Sequence, residues 1–313
     1  MTDMQLLDGR GQRRTPYLVF TSAGDRSNLN SWLKGSRNFD LWITYYGDQN
    51  GRFSDAGELY NARKGSKFQN LKFAYKTWAG ILAAYEAVMV MDDDILISAE
   101  DINSLFELRK HLDLWVLQPA FSPFGKITFP ITRVQPRCEL RYTDFVEMTC
   151  PLFRKDKLDK FMSIYDPALV GYGIESWFLE VLGQNLEGKV AVVDKVTCIN
   201  PYDRFRGGVR EITSLLSWEL HRANYWETIS KYSIADKLDV QREFQAVMKP
   251  LPMQVLSRFK YVLIEAYIRA RHLLIKGWPT FSYEPSFSSN TAYIRARHMA
   301  SLLRSRMSKW RSA

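Results

Sequence analysis

The sequence predicts an α/β protein in which a mostly parallel sheet is flanked by helices, followed by a helical C-terminal region. Short apolar runs of strand length alternate with amphipathic helical patterns over the first two hundred residues. Several of these runs end in polar loops that contain Gly or Asp. The strand pattern stops near residue 208. We therefore expect an α/β domain at 15–208 and a helical, basic region at 209–313.

Five apolar segments are predicted as strands of the sheet, at 17–20, 39–46, 87–91, 114–117 and 189–193. Between them, apolar residues recur at helical spacing over 68–85, 158–165 and 175–182. Strands that alternate with helices favour a parallel sheet covered on both faces. In such sheets ligands bind beyond the carboxyl ends of the strands, so the loops at those ends are the candidate site.

The region after residue 208 is predicted to be helical over 211–233, 235–247 and 253–276. The hexapeptide Tyr-Ile-Arg-Ala-Arg-His occurs at 267–272 and again at 293–298. Two copies do not make a repeat architecture, so we interpret them as two similar basic helices.

The net charge of +9 is concentrated at the C-terminal end of the chain. Residues 255–313 contain eleven Lys or Arg and two Glu, and the first 254 residues are therefore neutral. Basic residues flank an apolar helical arc in this segment, which indicates reversible docking on an anionic membrane surface. The alternative is that the arc packs on the α/β domain and the end of the chain is a solvated basic segment.

The sequence contains no apolar stretch of about 18 residues free of charge, so no segment is expected to span a bilayer. The first 14 residues are polar and do not resemble a secretory signal. The three cysteines lack metal-type spacing and are expected to be reduced and buried. These features favour a cytoplasmic protein that associates with the inner face of the membrane.

The most informative motif is Asp92-Asp93-Asp94, which follows the apolar run at 87–91. Alternate residues of an extended segment point the same way, so Asp92 and Asp94 can share one side. Two adjacent carboxylates fit a hard cation such as Mg²⁺ or Mn²⁺, held between them and a diphosphate. The alternative is a solvated acidic turn that caps a helix beginning near Ser98.

Two further acids are candidate general bases. Glu175 follows Gly171-Tyr172-Gly173 at the start of a predicted helix, where a carboxylate could accept a proton from a substrate. It could equally be a helix N-terminal Glu stabilised by the macrodipole. Glu147 lies inside an apolar strand predicted at 144–151 and is therefore either a site residue or paired with a neighbour such as Arg141.

Loop residues at other strand ends are candidates for holding a nucleoside. Four of them follow the first two predicted strands: Thr21, Ser22, Asp25 and Asp48. Lys67, in Lys-Gly-Ser-Lys at 64–67, could bind a phosphate, although a basic loop at a helix start is the simpler interpretation. Asp93, inside the acidic triplet, is also assigned to donor binding.

Six short motifs occur in the order and at the spacing found in a known protein family. They are Lys-Gly-Ser-Lys-Phe at 64–68, Val-Met-Asp-Asp-Asp-Ile at 90–95, Gln-Pro-Ala at 118–120, Phe-Val-Glu-Met at 145–148 with Pro-Leu-Phe at 151–153, Gly-Tyr-Gly-Ile-Glu at 171–175 and Val-Val-Asp at 192–194. Over residues 64–208 the chain thus resembles an uncharacterised family of glycosyltransferase-like proteins from plants and bacteria with the GT-A fold.

The resemblance implies a Rossmann-like GT-A fold, a sugar-nucleotide donor and an Asp-any-Asp metal motif at Asp92 and Asp94. The segment at 171–176 is similar to a Gly-Trp-Gly-any-Glu-Asp loop of some inverting transferases, whose last Asp serves as the base. Ser176 occupies that position here, which leaves Glu175 as the nearest carboxylate. Many GT-A enzymes also place a metal-binding His after the last core strand, and here Asn200 or Asp203 must substitute for it.

Together these features predict a metal-dependent, inverting glycosyltransferase. It would use Mn²⁺ or Mg²⁺ and a nucleotide-sugar donor, and it would act on a glycan or lipid-linked acceptor in bacterial surface polysaccharide synthesis, with no nucleic-acid partner. One alternative is a non-catalytic nucleic-acid-binding protein that uses the basic segment but gives the Asp triplet no role. A second is a nucleotidyltransferase, although no Gly-rich basic phosphate loop follows the first strand.

Overall fold

The computed structural model describes residues 5–6, 15–202 and 216–274. These residues form one ten-stranded sheet in the spatial order β1-β4-β3-β2-β5-β8-β6-β9-β7-β10. Numbered along the chain, the strands are β1 Gln5–Leu6, β2 Tyr17–Ala23, β3 Phe39–Tyr45, β4 Leu59–Ala62, β5 Ala87–Val90, β6 Val116–Phe121, β7 Cys138–Thr143, β8 Leu152–Arg154, β9 Val190–Cys198 and β10 Glu243–Met248.

Seven α-helices occur in the same described residues: α1 Lys67–Thr77, α2 Ala79–Leu82, α3 Ala99–His111, α4 Lys155–Ile164, α5 Ile174–Leu182, α6 Trp218–Tyr232 and α7 Leu251–Leu274. The two ends of helix α3 illustrate how a capping residue and charged side chains set the bounds of a helix. The Ser98 side chain accepts a hydrogen bond from the Asp101 backbone N–H at 3.1 Å and so caps the first turn. Acidic residues lie in that turn and basic residues in the last one, and both complement the helix dipole.

The predicted α/β architecture is confirmed. Strands β4, β3, β2 and β5 form a continuous parallel block, and β6 pairs in parallel with β9. Antiparallel strand β8 joins the two blocks by pairing with β5 and β6, while β7 and β10 extend the second block antiparallel. The carboxyl ends of the parallel strands β2, β3 and β5 consequently meet at one edge of the sheet.

Both faces of the sheet are buried. Leu18 and Phe20 of β2 point to a cluster that includes side chains of α1, α4, α5 and α6, whereas Tyr17 and Val19 point to a second cluster that includes α3. The period of two along β2 assigns alternate residues to opposite faces. Because both faces are covered, the first four residues of β2 form a continuous apolar run, which explains why the sequence pattern predicted this strand.

Three secondary-structure predictions need correction. The predicted helix at 235–247 is wrong, because Glu243–Met248 is strand β10 and pairs antiparallel with β7. The helical pattern at 68–85 is interrupted at Trp78, whose non-helical backbone separates α1 from α2. The apolar strand predicted at 144–151 is also wrong, because these residues connect β7 to β8, and strands β1, β4, β7 and β8 themselves were not predicted from the sequence.

The first compact unit of the chain extends to Glu265. Strand β10, which lies after residue 208, belongs to this unit and pairs with β7 of the main sheet. The domain boundary at 208 stays a prediction. Among the described helices, none combines the length and the apolar character that a membrane span requires. The second hexapeptide copy at 293–298 lies outside the described residues.

Candidate active site

The acidic triplet lies directly after β5, at the carboxyl edge of the parallel block. Its middle member, Asp93, is buried and accepts a hydrogen bond from the Gly24 backbone N–H at 2.9 Å, which ties the triplet to the loop after β2. The Asn28 backbone N–H donates to the Asp93 carbonyl at 2.7 Å. Asp92 and Asp94 are both more exposed than Asp93. The first and third carboxylates of the triplet are therefore the more accessible ones, as an Asp-any-Asp metal motif requires.

Asp92 forms an ion pair with Lys67, the first residue of α1. The Lys67 ammonium lies 2.8 Å from Asp92 Oδ1 and also donates to the carbonyls of Met148 at 2.5 Å and Thr149 at 3.0 Å. A lysine ammonium has three protons, so protein acceptors use all of them. The Lys67 side chain is almost fully buried. The observed role of Lys67 is thus to position Asp92, and its contact with a donor phosphate stays a prediction.

Asp94 lies next to the end of β9. Backbone hydrogen bonds in both directions between Leu96 and Ile199 join the segment after the triplet to the residue before Asn200. Asn200, the predicted substitute for a metal-binding His, is buried, and its carbonyl accepts from Lys126 N–H at 2.7 Å. The other substitute, Asp203, lies outside the described residues.

The carboxylates of Asp92 and Asp94 are hard oxygen ligands of the kind that Mg²⁺ and Mn²⁺ prefer. Within residues 5–6, 15–202 and 216–274, no group of three or more His, Cys, Asp or Glu side chains is placed to hold a metal alone. A cation held by Asp92 and Asp94 would need further ligands, such as Asn200 or Asp203, a diphosphate or water. The donor set fits a cation that binds together with a nucleotide.

Glu147 lies in the loop between β7 and β8 and is 2% exposed. Its carboxylate accepts hydrogen bonds from Thr132 Oγ1 at 2.8 Å and Thr149 Oγ1 at 3.2 Å. Its backbone N–H donates to Gln118 Oε1 at 2.5 Å. Burial raises the pKa of Glu147 to about 7, although the hydrogen bonds from the two hydroxyls act to lower it.

The predicted alternative of a Glu147–Arg141 ion pair is wrong. Arg141 instead pairs with Asp194, with its Nε 2.8 Å from Asp194 Oδ2, and its Nη1 lies 3.3 Å from Glu243 Oε2 on β10. Strand β10 had been predicted as a helix, so this acidic partner could not be found from the sequence. Glu147 is held by neutral donors, the hydroxyls of Thr132 and Thr149 and the backbone of Phe129, and keeps a raised pKa.

Glu175 is the second residue of α5 and is 4% exposed. Its Oε2 atom is buried and has no hydrogen-bond partner among the described residues. Burial, together with the charges of Glu147 and Asp92, raises the pKa of Glu175 to about 8, and the charge of Lys67 opposes this rise. These charges interact with Glu175 although they come from three other segments. The fold therefore brings Asp92, Glu147 and Lys67 within electrostatic range of Glu175.

The turn before Glu175 is fixed by Tyr225 of α6. Gly173 has φ +82°, and a Cβ atom there would lie 2.1 Å from the Tyr225 ring, so only Gly fits. The Tyr225 hydroxyl lies 3.0 Å from Ser176 Oγ and donates to Asp236 Oδ1 at 2.6 Å. Ser176, which replaces the acid of the similar family loop, is thus a structural contact. The support from Tyr225 was not predicted.

Of the loop residues predicted to hold a nucleoside, Thr21 and Ser22 instead lie within β2, whereas Asp25 and Asp48 follow β2 and β3 at the same edge of the sheet. Thr21 Oγ1 is buried without a hydrogen-bond partner among the described residues, and Ser22 Oγ accepts from Asn70 at 2.9 Å. Asp25 accepts a hydrogen bond from the Tyr45 hydroxyl, which joins the ends of β2 and β3. Asp48 is exposed and pairs with Lys64 at 2.5 Å. Their contacts with a nucleoside stay predictions.

The helix-cap interpretation of the triplet finds no support in the structure. Ser98 caps α3 with help from Asp101, and the triplet lies four or more positions before that cap. The macrodipole interpretation of Glu175 explains its position in the first turn of α5 but not its burial, because a Glu that serves only the helix end is normally exposed.

The raised pKa of Glu175 predicts the pH dependence of any reaction in which it is the base. A base acts in its deprotonated form, so kcat/KM should rise with pH between about 6 and 9, well above the range of an ordinary Glu. Lys67, Asp92 and Glu147 are the charged groups that interact with it. In a Glu147→Gln variant one negative neighbour is removed, and the inflection should move to lower pH. A profile that stays flat down to about pH 5 would contradict this assignment.

Replacing Tyr225 with Phe removes the hydroxyl that joins Ser176 to Asp236 but keeps the ring against Gly173. We expect kcat to fall about tenfold, because small displacements of a catalytic group are costly, with nucleotide affinity unchanged. The neighbouring Trp226 is 54% exposed, so Trp226→Phe is the matched control. Steady-state kinetics and nucleotide titration of both variants test this role. Wild-type kcat in Tyr225→Phe would mean that the hydroxyl does not position Glu175.

No protein-family model and no curated protein sequence matches the chain. Among solved structures, it is similar to residues 1–349 of S. aureus TarS in complex with UDP-GlcNAc, at 12% identity and a TM-score of 0.46, over 69% of this chain and 67% of that one. It is also similar to GalNAc-T7 with UDP, GalNAc and Mn²⁺, at 9% identity and a TM-score of 0.47, over 69% of this chain and 48% of that one. Similarity at this level concerns the general fold.

Proposed function

We propose that this chain is a metal-dependent glycosyltransferase that moves a sugar from a nucleotide-sugar donor to a hydroxyl acceptor. The observation that carries this proposal is the buried carboxylate oxygen of Glu175, which has no hydrogen-bond partner among the described residues and lies within electrostatic range of Asp92 at the carboxyl edge of the parallel block. A buried acid with a raised pKa beside a metal-type motif is typical of a site for acid–base chemistry. The six collinear motifs described above support the same conclusion.

Glu175 is assigned as the general base. Its free Oε2 would accept the proton of the acceptor hydroxyl while the acceptor oxygen forms a bond to the anomeric carbon. The bond from that carbon to the diphosphate breaks in the same step, and its electron pair leaves with the diphosphate. Direct displacement of this kind inverts the anomeric centre. Glu147 is the weaker candidate, because two hydroxyl groups already occupy its carboxylate.

Asp92 and Asp94 are assigned to hold the cation, with Asn200 or Asp203 as further ligands. A bound Mn²⁺ or Mg²⁺ supplies neutralisation of the charge that develops on the diphosphate leaving group. Lys67 positions Asp92 through their ion pair, and Asp93 fixes the loop after β2 by accepting a hydrogen bond from the Gly24 N–H. Thr21, Ser22, Asp25 and Asp48 lie at the ends of β2 and β3, where a nucleoside would bind.

The acceptor is proposed to be a glycan or a lipid-linked glycan of bacterial surface polysaccharide synthesis. The support is indirect: the basic segment at 255–313 favours a location at the cytoplasmic face of an anionic membrane, where lipid-linked acceptors are assembled. Chemistry at Glu175 and docking of the basic segment are separable properties.

Donor cleavage tests the proposal. The full chain is incubated with a panel of sugar nucleotides and Mn²⁺, and release of the nucleoside diphosphate is followed with and without candidate acceptors. We expect at least one donor to be cleaved, faster with acceptor, and cleavage to stop in excess chelator. Cleavage between the α-phosphate and the β-phosphate would instead indicate a nucleotidyltransferase or pyrophosphatase and would contradict the proposal.

A further inference from the structure

Helix α7 exposes a continuous apolar face. The part of α7 that belongs to the first compact unit ends at Glu265. Along one side of this part, large apolar side chains are each more than half exposed. They are Leu251, Val255, Leu256, Phe259, Val262 and Leu263. Their spacing of three, four and seven residues places them on one helical surface. Single exposed apolar residues are ordinary, but a contiguous apolar face of this length indicates an interaction surface.

The borders of this face are basic. At 100° per residue, Arg258 lies on one edge of the apolar arc and Lys260 on the other, and both side chains are exposed. No acidic residue occurs between 251 and 264. The first acid, Glu265, lies one helical step beyond the Arg258 edge, where it is partly buried and paired with Arg133. The exposed surface of α7 is therefore apolar at its centre and positive along both sides.

The opposite side of α7 holds the helix on the α/β unit. Tyr261, Ile264 and Glu265 are partly buried, and Arg133 Nε donates to the Tyr261 hydroxyl at 2.9 Å. Arg133 follows Thr132, whose hydroxyl donates to Glu147. The sequence left open which side of this helix faces the domain. The structure directs the Tyr261 side inward and the Phe259 side outward.

We propose that this face of α7 is a docking surface for a membrane that contains anionic lipid. Its centre would insert apolar side chains at the level of the headgroups, and Arg258 and Lys260 would contact lipid phosphates from the two borders. Residues 275–313 contain seven Lys or Arg and one Glu, which adds attraction to the same surface. Docking is independent of the transfer chemistry, so its test and that of the proposed function have separate outcomes.

Charge disfavours two other occupants of the face. A second copy related by a two-fold axis would bring the Arg258 and Lys260 borders of the two helices together, and the one acid beside them, Glu265, is already paired with Arg133. The segment at 275–313 of the same chain is itself basic and would meet the same repulsion. Anionic lipid complements both the apolar centre and the positive borders.

Vesicle co-sedimentation of the full chain tests the docking surface. Phosphatidylcholine vesicles with and without phosphatidylglycerol are used at low and high salt. We expect the apparent partition coefficient to be at least about tenfold higher on anionic vesicles, and the difference to shrink at high salt. The double variant Phe259→Glu/Leu263→Glu should lose at least about tenfold in binding to anionic vesicles.

Two further variants separate the contributions. Arg258→Gln/Lys260→Gln should bind anionic vesicles several-fold more weakly, with a smaller salt dependence. Val240 is 73% exposed outside α7, so Val240→Glu is the matched control and should bind as the wild type does. Thermal unfolding and donor cleavage should be unchanged in all of these variants, since none of the side chains lies in the catalytic cluster.

Three results would overturn the proposal. The first is wild-type vesicle binding by Phe259→Glu/Leu263→Glu, which would assign binding to another segment or leave the face covered by residues 275–313. The second is no vesicle binding by the full chain at low salt. The third is a wild-type dimer in light scattering that becomes a monomer in the same double variant, which would mean that a second copy covers the face.

Discussion

Replacing Glu175 with Gln is expected to lower the rate of sugar transfer by about 10²–10⁴-fold while leaving donor and cation binding intact. Gln has the size of Glu but cannot accept the proton of the acceptor hydroxyl. The buried Oε2 of Glu175 has no hydrogen-bond partner among the described residues, so the substitution should not break a contact of the fold. Single-turnover transfer and calorimetric titration of nucleotide measure the two effects separately.

The stability of the same variant provides a second readout. The pKa of Glu175 is about 8 in the folded chain and near the ordinary Glu value in the unfolded chain. The folded state therefore binds the additional proton between these values, and Glu175 costs stability as the pH rises through them. Glu175→Gln should remove this cost, so its gain in Tm over wild type should be larger at about pH 8 than at pH 5.

Glu147→Gln is the matched control for the base. Its amide can keep the carbonyl contact to Thr132, so a folded variant is expected, with a smaller loss of rate than Glu175→Gln. If Glu147→Gln loses more rate than Glu175→Gln while both remain folded, the roles of the two acids are reversed. The cluster would then still be the active site.

Asp92→Asn and Asp94→Asn are each expected to abolish measurable transfer in a folded protein. Both substitutions remove a charged oxygen ligand from the proposed cation site, and the loss of transition-state stabilisation should be several kcal/mol. Asp92→Asn also leaves Lys67 without its carboxylate, so a loss of stability is expected for this variant. The exposed Asp55 lies outside the site, and Asp55→Asn is the control with the same chemical change.

Activity and cation dependence of these variants decide the assignment. Turnover near the wild-type level in both Asp92→Asn and Asp94→Asn, or full wild-type activity in excess chelator, would contradict a role for the triplet in cation binding. Reduced activity of Asp92→Asn with wild-type activity of Asp94→Asn would limit the role to the Lys67–Asp92 pair.

The parts of the fold that the sequence predicted are those in which a strand is buried on both faces. The apolar runs of β2, β3 and β5 indicate strands because tertiary contacts and local pattern agree there. Strand β10 has the sequence Glu-Phe-Gln-Ala-Val-Met, with several helix-forming residues and mostly exposed side chains. Only its pairing with β7 makes it a strand, and such pairing is not visible in a local pattern.

In the candidate site, too, some features could be predicted from the sequence and others could not. The position of the acidic triplet after an apolar strand was visible from spacing, and so was the Gly-bracketed turn before Glu175. The contacts of Lys67 with Asp92, of Thr132 with Glu147 and of Tyr225 with the Gly173 turn join segments distant in sequence. They depend on tertiary structure, so neither composition nor periodicity could predict them.

Calorimetric titration of nucleoside diphosphates, with and without Mn²⁺, tests the central claim most directly. The titration needs no knowledge of the acceptor, and the set of nucleoside diphosphates covers the common nucleobases. We predict that at least one nucleoside diphosphate binds the wild-type chain only when Mn²⁺ is present, and that Asp94→Asn loses this binding while Glu175→Gln retains it. Failure of every nucleoside diphosphate to bind, or binding that neither Mn²⁺ nor Asp94→Asn affects, would contradict a metal-dependent glycosyltransferase.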